Sequence, residues 1–315
     1  MKPKIVVIGS ANMDMIVRTN HIPRAGETVL GEKFIQSRGG KGANQAVAAA
    51  RLGAEVTFVA RLGKDHFGQE AFAAYEKEGI LTNNIGWDAE TPSGVALIVV
   101  DATGENIICV APGANWKLST DDIRAAEAAI RSADCVLLQL EIPLETVEYA
   151  IRLAARHHVR VILNPAPMAK LSEDLLGKVD ILTPNVTEAA ALSGNDKSHP
   201  RELANNLRKK FNIKNVIVTM GKEGAAISRE HNSIIIPSFQ VKPVDATGAG
   251  DAFNGGLAVA LASGDPLEGA VRYANAVGAL ATTRFGAQAS LPTAAEVSLF
   301  MQEQSLGLKI ATEME

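Results

Sequence analysis

Aromatic side chains are scarce in this sequence. They make up 4% of its 315 residues, as 9 Phe, 3 Tyr and 2 Trp, so the core has to be built from Ala, Val, Ile and Leu. Little is left for the stacking platforms that single-stranded nucleic acids prefer. Positive charge is not in excess either: 31 Lys and Arg stand against 35 Asp and Glu, a formal net charge of -4. Binding by counterion release needs a clustered basic face, and that balance works against it. The longest basic run, Arg208-Lys209-Lys210, lies in a helical pattern among polar residues and reads as a solvated helix face. Nucleic acid is not expected as a partner.

Cysteine is nearly absent, with Cys109 and Cys135 the 2 present. Both fall in apolar strand-like runs without C-x-x-C or Cys/His spacing, so they are expected to be reduced, buried and inert. No window approaches the roughly 18 apolar residues of a membrane span. The apolar stretch Ile5-Val6-Val7-Ile8 after Met1-Lys2-Pro3-Lys4 is too short for a signal peptide. A cytoplasmic protein with no membrane partner is the expectation. The histidines offer no zinc spacing: His157 and His158 are adjacent and would face different sides of a helix, and His21, His66, His199 and His231 fall in turn-like segments.

What is present is ordinary for a globular protein, with 47% hydrophobic and 21% charged residues, and the length allows one large α/β domain or two modest ones. Apolar runs at residues 4–8, 56–60, 135–140, 159–163, 180–183 and 215–219 alternate with helical patterns. Such alternation predicts βαβ units around a parallel sheet buried on both faces. Helices are expected over residues 43–52, 119–133, 144–157, 250–263, 266–283 and 293–304, with residues 307–315 a loose tail. The helix over 119–133 opens with Ser119, Thr120, Asp121 and Asp122 as cap and dipole partners. Residues 12–37 and 93–110 instead alternate, with Met13, Met15 and Val17, then Val95, Leu97 and Val99. That pattern predicts a small projecting sheet with one wet face, whose apolar side needs a ligand cleft, a partner chain, or both to cover it.

In open α/β sheets ligands bind beyond the carboxyl ends of the strands. The polar residues that follow the apolar runs are Asn12 and Asp14, Glu141, Asn164, Asn185, and Thr219 with Gly221, with Pro165, Pro167 and Pro184 stopping strands sharply. A mix of carboxylates and amides suits a polyhydroxylated ligand, because hydroxyls both donate and accept. Gly39-Gly40-Lys41-Gly42-Ala43-Asn44 adds glycines that let backbone approach a ligand, and Lys41 and Asn44 share a face of the first helical turn. Neither a Walker A loop nor a G-x-G-x-x-G fingerprint occurs, which disfavours a nicotinamide-dependent oxidoreductase.

The sharpest constellation is Asp245-Ala246-Thr247-Gly248-Ala249-Gly250-Asp251-Ala252-Phe253, leading into an apolar helix. Gly248, Ala249 and Gly250 would present backbone N–H groups at a helix amino terminus, an anion site. Asp251 inside such a site reads as a base that takes a proton from a hydroxyl while those N–H groups hold a phosphoryl group in transfer.

Together, Asn12-Met13-Asp14, Gly39 to Asn44 and Asp245 to Asp251 resemble the two signatures of the ribokinase-like (phosphofructokinase-B-type) sugar kinases, and the resemblance spans residues 3–300. It implies a three-layer α/β/α fold with a mostly parallel central sheet, a single domain over residues 1–310, and a β-sheet lid from residues 12–37 and 93–110 that also forms a homodimer contact. It implies ATP-dependent phosphorylation of D-ribose at O5, with Asn12, Asp14, Gly40, Lys41, Gly42, Ala43, Asn44, Glu141 and Asp251 binding the sugar. Asp251 would be the base and Gly248, Ala249 and Gly250 the anion hole. The nucleotide site implied comprises Asn185, Thr219, Met220, Gly221, Lys222, Glu223, Gly224, Gly250 and Asn275. Asn185 and Glu188, of Asn185-Val186-Thr187-Glu188, would position Mg²⁺ through water. Asp245, Thr247, Ala281, Arg284, Gly286 and Ser290 would hold an activating K⁺, mostly by backbone carbonyls.

The amide of Asn12 favours ribose over 2-deoxyribose, since it is suited to bond a 2-hydroxyl where deoxyribose-preferring relatives carry an apolar residue. A kinase for 2-deoxyribose, fructose or a nucleoside is the alternative within the class, although no aromatic clamp for a base is evident. A non-catalytic sugar-binding regulator on the same scaffold is the alternative outside it, and the intact Asp251 with its glycines speaks against that.

Overall fold

The strand that opens the chain, β1 (Lys4–Ile8), has Ile5 to Ile8 buried on both faces, as an apolar run without alternation requires. In the computed structural model, which describes residues 2–194, 198–230 and 232–313, the strands that follow are β2 (Asn12–Arg18), β3 (Lys33–Gly39), β4 (Glu55–Gly63), β5 (Ile85–Asp88), β6 (Gly94–Val100), β7 (Asn106–Ala111), β8 (Cys135–Leu138), β9 (Arg160–Leu163), β10 (Ile181–Leu182), β11 (Asn215–Thr219), β12 (Ala225–Arg229) and β13 (Asn232–Ile236). Nine of them form one sheet in the order β13-β12-β11-β10-β9-β8-β1-β4-β5. It is parallel except at one edge, where β12 runs antiparallel to both β11 and β13. Helices cover both faces, and two apolar clusters lie on opposite sides of the sheet. This is the expected three-layer α/β/α fold with a mostly parallel sheet.

The helix Ala249–Ala262 is buried from Asp251 to Leu261 because it lies between the helices Lys41–Arg51 and Leu267–Ala281. A Cβ on Gly255 would stand 2.6 Å from the Ala48 Cβ. Glycine there lets two backbones approach closely, and that approach brings the amino-terminal turns of two helices together at one edge of the sheet.

The second sheet has the order β3-β2-β6-β7 and corresponds to the two alternating segments. Asn12, Asp14 and Ile16 point to one face, Met13, Met15 and Val17 to the other, in register with β6 and β3.

Several expectations need correction. The helix expected over 119–133 is two, Thr120–Ala125 and Glu127–Ser132, separated at Ala126. The antiparallel edge hairpin β12–β13 was not foreseen, since its residues carry no clean polar alternation. The helix Ala294–Glu313 runs through most of the segment expected as a loose tail, where no proline interrupts it. Cys135 is buried, which pushes its thiol up to about 12, but Cys109 is exposed. It lies on β7, an edge strand exposed at every residue, and alternation in sequence does not say what covers a face. His157 and His158 do not share a helix: Leu144–Arg156 ends before them, and His158 is left-handed, with φ 56°. His66 opens the helix His66–Lys77 and His199 caps Pro200–Phe211, while His21 stays in a turn bonded to Glu27. His231 lies outside the described residues. Among those residues no helix is long and apolar enough to cross a membrane.

Candidate active site

The order of the large sheet reverses at β1, with β4 on one side and β8 on the other, and a crevice outside the carboxyl ends of the strands opens at such a switch point. Polar residues converge on it. Ser10 follows β1, Glu141 follows β8, Asn164 follows β9, Asn185 follows β10 and Thr219 ends β11. The helix Lys41–Arg51 starts there, its first turn docked on the loop after β1 by the Ala43 N–H bonded to the Ser10 carbonyl at 2.8 Å. Gly40 precedes it with φ 87°, and a Cβ there would meet the Asn12 backbone nitrogen at 2.7 Å. Only glycine satisfies both conditions.

Acidic groups gather around one lysine. Glu141 Oε2 accepts the Ser10 hydroxyl and, at 3.0 Å, the backbone N–H of Lys41. Asp14, buried on β2 above Gly39, has its pKa raised to about 7 by burial, then by the charges of Glu141 and Asp251. Burial pulls the Lys41 ammonium down, but Asp251, Glu141 and Glu188 together more than offset it and its pKa is raised. The group is a cation held among three carboxylates.

Asp251 stands in the first turn of Ala249–Ala262, 6% exposed. Its Oδ2 accepts from Asn44 Nδ2 at 2.9 Å and its Oδ1 from Gln45 Nε2 at 2.9 Å. Burial raises its pKa against the opposing pull of Lys41, Asn44 and Gln45, and Glu141 adds to the rise. A carboxylate so placed is a stronger base than an exposed one. Gly248 caps this helix in the left-handed conformation, φ 77°. Of the three N–H groups expected to be open, Ala249 donates to the Ala246 carbonyl at 3.2 Å, because the turn before the helix closes on itself. Gly248 and Gly250 keep free donors among the described residues, at the positive end of the helix dipole.

Two clefts meet at this helix terminus, and both are lined by Thr219, Ala246 and Gly250. One, of about 250 Å³, is bordered by Lys41, Asn164, Asn185, Glu188, Gly248 and Asp251. The other, of about 350 Å³, has apolar walls from Phe239, Val241, Pro243, Phe253 and Ala279 and a rim of Gly221, Lys222, Gly224 and Asn275. A polar chamber joined to an apolar slot matches a phosphorylated ligand with a flat heterocycle. Asn275 does not point freely into the slot: its Nδ2 donates to the carbonyls of Ile236 and Pro237 at 3.1 and 3.2 Å and fixes the wall. Met220 packs on the core, and neither it nor Glu223 lines the slot.

The expected metal sites can be tested by their donors. Asn185 and Glu188 form a reciprocal helix cap, with the Asn185 N–H on Glu188 Oε2 at 2.9 Å. Glu188 Oε1 is left over beside Lys41, and burial raises the pKa of this carboxyl. One spare carboxylate oxygen cannot enclose a metal, and among the described residues no cluster of three or more His, Cys, Asp or Glu could hold one. The donors fit Mg²⁺ only in the mode where the ion keeps waters and phosphate oxygens. For K⁺, Asp245 bridges two loops by accepting the N–H groups of Thr247 and Gly286, both at 2.9 Å. Those donors hold its carboxyl below the usual carboxylate range although burial opposes them. The Arg284 side chain turns away to Glu296 and Ser290 is buried with its hydroxyl on the Ala287 carbonyl at 2.9 Å, so these residues can offer mainly carbonyl oxygens. An all-oxygen set with one formal charge fits a hard monovalent cation.

Asp14, Lys41, Glu141 and Asp251 thus lie within electrostatic reach of one another, with Asn44 bonded to Asp251, next to the slot rimmed by Gly221, Lys222 and Gly224. Sequence reasoning missed Thr183 and Asn254, which line the polar cleft and are bonded to each other at 2.6 Å, and Ser10, Gln45, Asn115 and Gln139, which bond to the site residues or their neighbours. Gln139 had a signal, as a lone amide between Val136 and Leu140 in an otherwise apolar stretch.

Residues 2–294 match the family model described as pfkB family carbohydrate kinase. The chain is 41% identical over 305 residues to the ribokinase of Haemophilus influenzae, covering 96% of this chain and 99% of that protein. It is 39% identical over 293 residues to the deoxyribokinase of Salmonella typhimurium, covering 92% and 95%. The structure of Arabidopsis thaliana ribokinase complexed with ribose and ATP superimposes with a TM-score of 0.87 at 32% identity, covering 95% of this chain and 99% of that one. With the family model matched over residues 2–294 and relatives matched over nearly the whole chain, this chain belongs to the pfkB family of carbohydrate kinases.

Proposed function

We propose that this chain transfers the γ-phosphoryl group of ATP to the 5-hydroxyl of D-ribose. The observation that carries this reading is Asp251, buried where the two clefts meet, gripped by Asn44 and Gln45 beside the free N–H groups of Gly248 and Gly250. The sugar lies among Asn12, Asp14, Lys41, Asn44 and Glu141, the phosphoryl groups in the adjoining polar chamber that Lys41 and Asp251 border, and the adenine in the apolar slot. As O5 attacks, its proton passes to Asp251, the new O–P bond forms, and the bond from the γ-phosphorus to the oxygen that leaves with ADP breaks. The Gly248 and Gly250 N–H groups, with the helix dipole and Lys41, stabilise the charge spread over the equatorial oxygens.

Asn185 and Glu188 would hold Mg²⁺ through water, and the chemistry it supplies when bound is neutralisation of charge on the β- and γ-phosphate oxygens. Asp245, Thr247 and the carbonyls of Ala281, Arg284, Gly286 and Ser290 would hold K⁺ next to the anion-binding turn. The small sheet acts as a lid over the sugar and as the contact of a homodimer, and we assign the enzyme to the cytoplasm, where ATP and free sugar meet.

A 2-deoxyribose kinase is the second reading, favoured by the similarity to the Salmonella deoxyribokinase and opposed by the amide at Asn12. Purified protein with ATP, Mg²⁺ and K⁺ should convert ribose to ribose 5-phosphate, and Asp251→Asn should lower turnover by about 10²- to 10⁴-fold. Full turnover in that variant would remove the base.

A further inference from the structure

Gln45 follows Asn44 in the glycine-rich turn but has a different relation to the site. It is fully buried, and all its polar atoms are engaged within the protein. Nε2 donates to Asp251 Oδ1 at 2.9 Å and to Asn164 Oδ1 at 3.2 Å, while Oε1 accepts from Gln139 Nε2 at 2.6 Å. No group is left over for a sugar. Gln139, also fully buried, carries an oxygen with no partner, packed so closely on Gly9 that a Cβ there would stand 2.1 Å from it. If filling space were its only role, an apolar side chain of the same shape would avoid that unpaired acceptor. Among the described residues, the one hydrogen bond of its side chain is the one that orients Gln45.

We infer that Gln45, oriented by Gln139, is a positioning residue that fixes the plane of the Asp251 carboxylate and stabilises its ionised form. This rests on the reading of Asp251 as the base. The terminal torsion of an aspartate is broad and roughly two-fold, so one donor per oxygen, Asn44 on Oδ2 and Gln45 on Oδ1, is what holds it still. Asn44 keeps a buried unpartnered Oδ1 and so has an acceptor to offer a ligand, whereas Gln45 acts only through Asp251. The ionisable groups around Asp251 are Lys41 on the helix of Gln45, Glu141 after β8, Glu188 on Val186–Ser193 and Asp14 on β2. Removal of the Gln45 donor leaves burial and those carboxylates opposed by Lys41 and Asn44 alone, so proton loss from Asp251 moves to higher pH.

The test is steady-state kinetics with ribose across pH for Gln45→Met, Gln139→Leu and their combination. Gln45→Met should lower kcat by about 10- to 100-fold and move its acid limb up by about one pH unit, with KM for ribose within about threefold. Gln139→Leu should do the same more weakly, and should add nothing in the Gln45→Met background. Should Gln45→Met fail to fold, the isosteric Gln45→Glu, which cannot donate to Asp251 without holding a proton itself, should displace the acid limb further still. An unchanged acid limb, a rise in KM instead of a fall in kcat, or equal Gln139→Leu effects in both backgrounds would overturn the inference. Asp251→Asn separates the two readings: if it is inactive while the Gln45 variants keep the wild-type profile, only the positioning role fails, and if it is active, both fail.

Discussion

Asn115 Nδ2 donates to Asn12 Oδ1 at 2.7 Å, and the direction of that bond is set by the backbone of Ala11. The Ala11 N–H binds Asn115 Oδ1 at 2.8 Å and its carbonyl takes Asn115 Nδ2 at 3.2 Å, so the amide of Asn115 can face only one way. Asn12 must then turn its oxygen to Asn115, which leaves its NH₂ for a ligand. In the proposed sugar site, a donor in that place would discriminate between a sugar with a 2-hydroxyl and one without. Asn12→Leu should reduce kcat/KM for ribose by about 10- to 100-fold, the effect of about 1–3 kcal/mol from an unmade hydrogen bond, and change 2-deoxyribose by only a few fold. Asn115→Leu should erode the same preference by releasing Asn12. Parallel kinetics on the two sugars check this, and an unaltered ratio in Asn12→Leu would remove Asn12 from substrate choice.

Asp14 links the site to stability. Its pKa is raised from 3.8 to about 7 by burial and by Glu141 and Asp251, so between those values the folded protein binds a proton that the unfolded chain has released. Stability therefore falls as pH rises from about 4 to 7, and the deficit is complete above pH 7. Asp14→Asn should melt higher than wild type at pH 8, by an amount of order 2–4 kcal/mol in unfolding free energy, and the gap should close near pH 4. The same variant should bind ribose poorly. Calorimetric melts at the two pH values decide it: equal melting temperatures at pH 8 would show that the carboxylate is not strained by its neighbours.

The layers of the fold and the centre of the site were legible for a physical reason. Val6, Val7 and Ile8, or Val161, Ile162 and Leu163, are buried on both faces of the sheet, and such strands must read as unbroken apolar runs. Gly40, Lys41, Asn44 and Asp251 fall in two short glycine-rich motifs at helix starts, and their residue types are constrained in ways that spacing displays. Gln45, Gln139 and Asn115 act through other side chains, and an isolated amide in sequence carries no trace of the partner it will orient. The β12–β13 hairpin escaped for another reason: Ala225, Ala226 and Ile227 of β12, an inner strand between β11 and β13, are all buried, so the polar alternation of a half-exposed hairpin is absent, and Ala225-Ala226 makes too weak an apolar run to stand out.

Asp245 should govern the response to monovalent cations. Its carboxylate ties Thr247, in the anion-binding turn, to Gly286, in the loop after Leu267–Ala281. Exchange of NaCl for KCl at equal ionic strength should raise the melting temperature and the turnover of the wild type. Asp245→Ala loses both the charge and the tether, and should show neither response, with stability lower by about 1 kcal/mol, since only the Gly286 N–H is partly buried and the Thr247 N–H can turn to water. Differential scanning fluorimetry supplies a readout independent of catalysis. A K⁺-dependent shift that survives in Asp245→Ala would place the cation elsewhere.

The small sheet exposes more apolar surface than a solitary protein tolerates well. Leu97 is 54% and Ile107 50% exposed. By the register Met15–Leu97–Cys109 and Val17–Val99–Ile107, they lie on the face opposite Asn12 and Asp14. The sugar therefore cannot cover them, and a second copy of the chain can. Light scattering should report a dimer for the wild type, and Leu97→Glu with Ile107→Glu should yield a monomer. Burial of one large aliphatic side chain contributes about 1.5–3 kcal/mol, so loss of two from each subunit should weaken association by at least about 10²-fold even before the buried charges are counted. If the double variant stayed dimeric, the contact would lie outside the lid. If it became monomeric yet kept full turnover, the lid would close over the sugar without support from its partner.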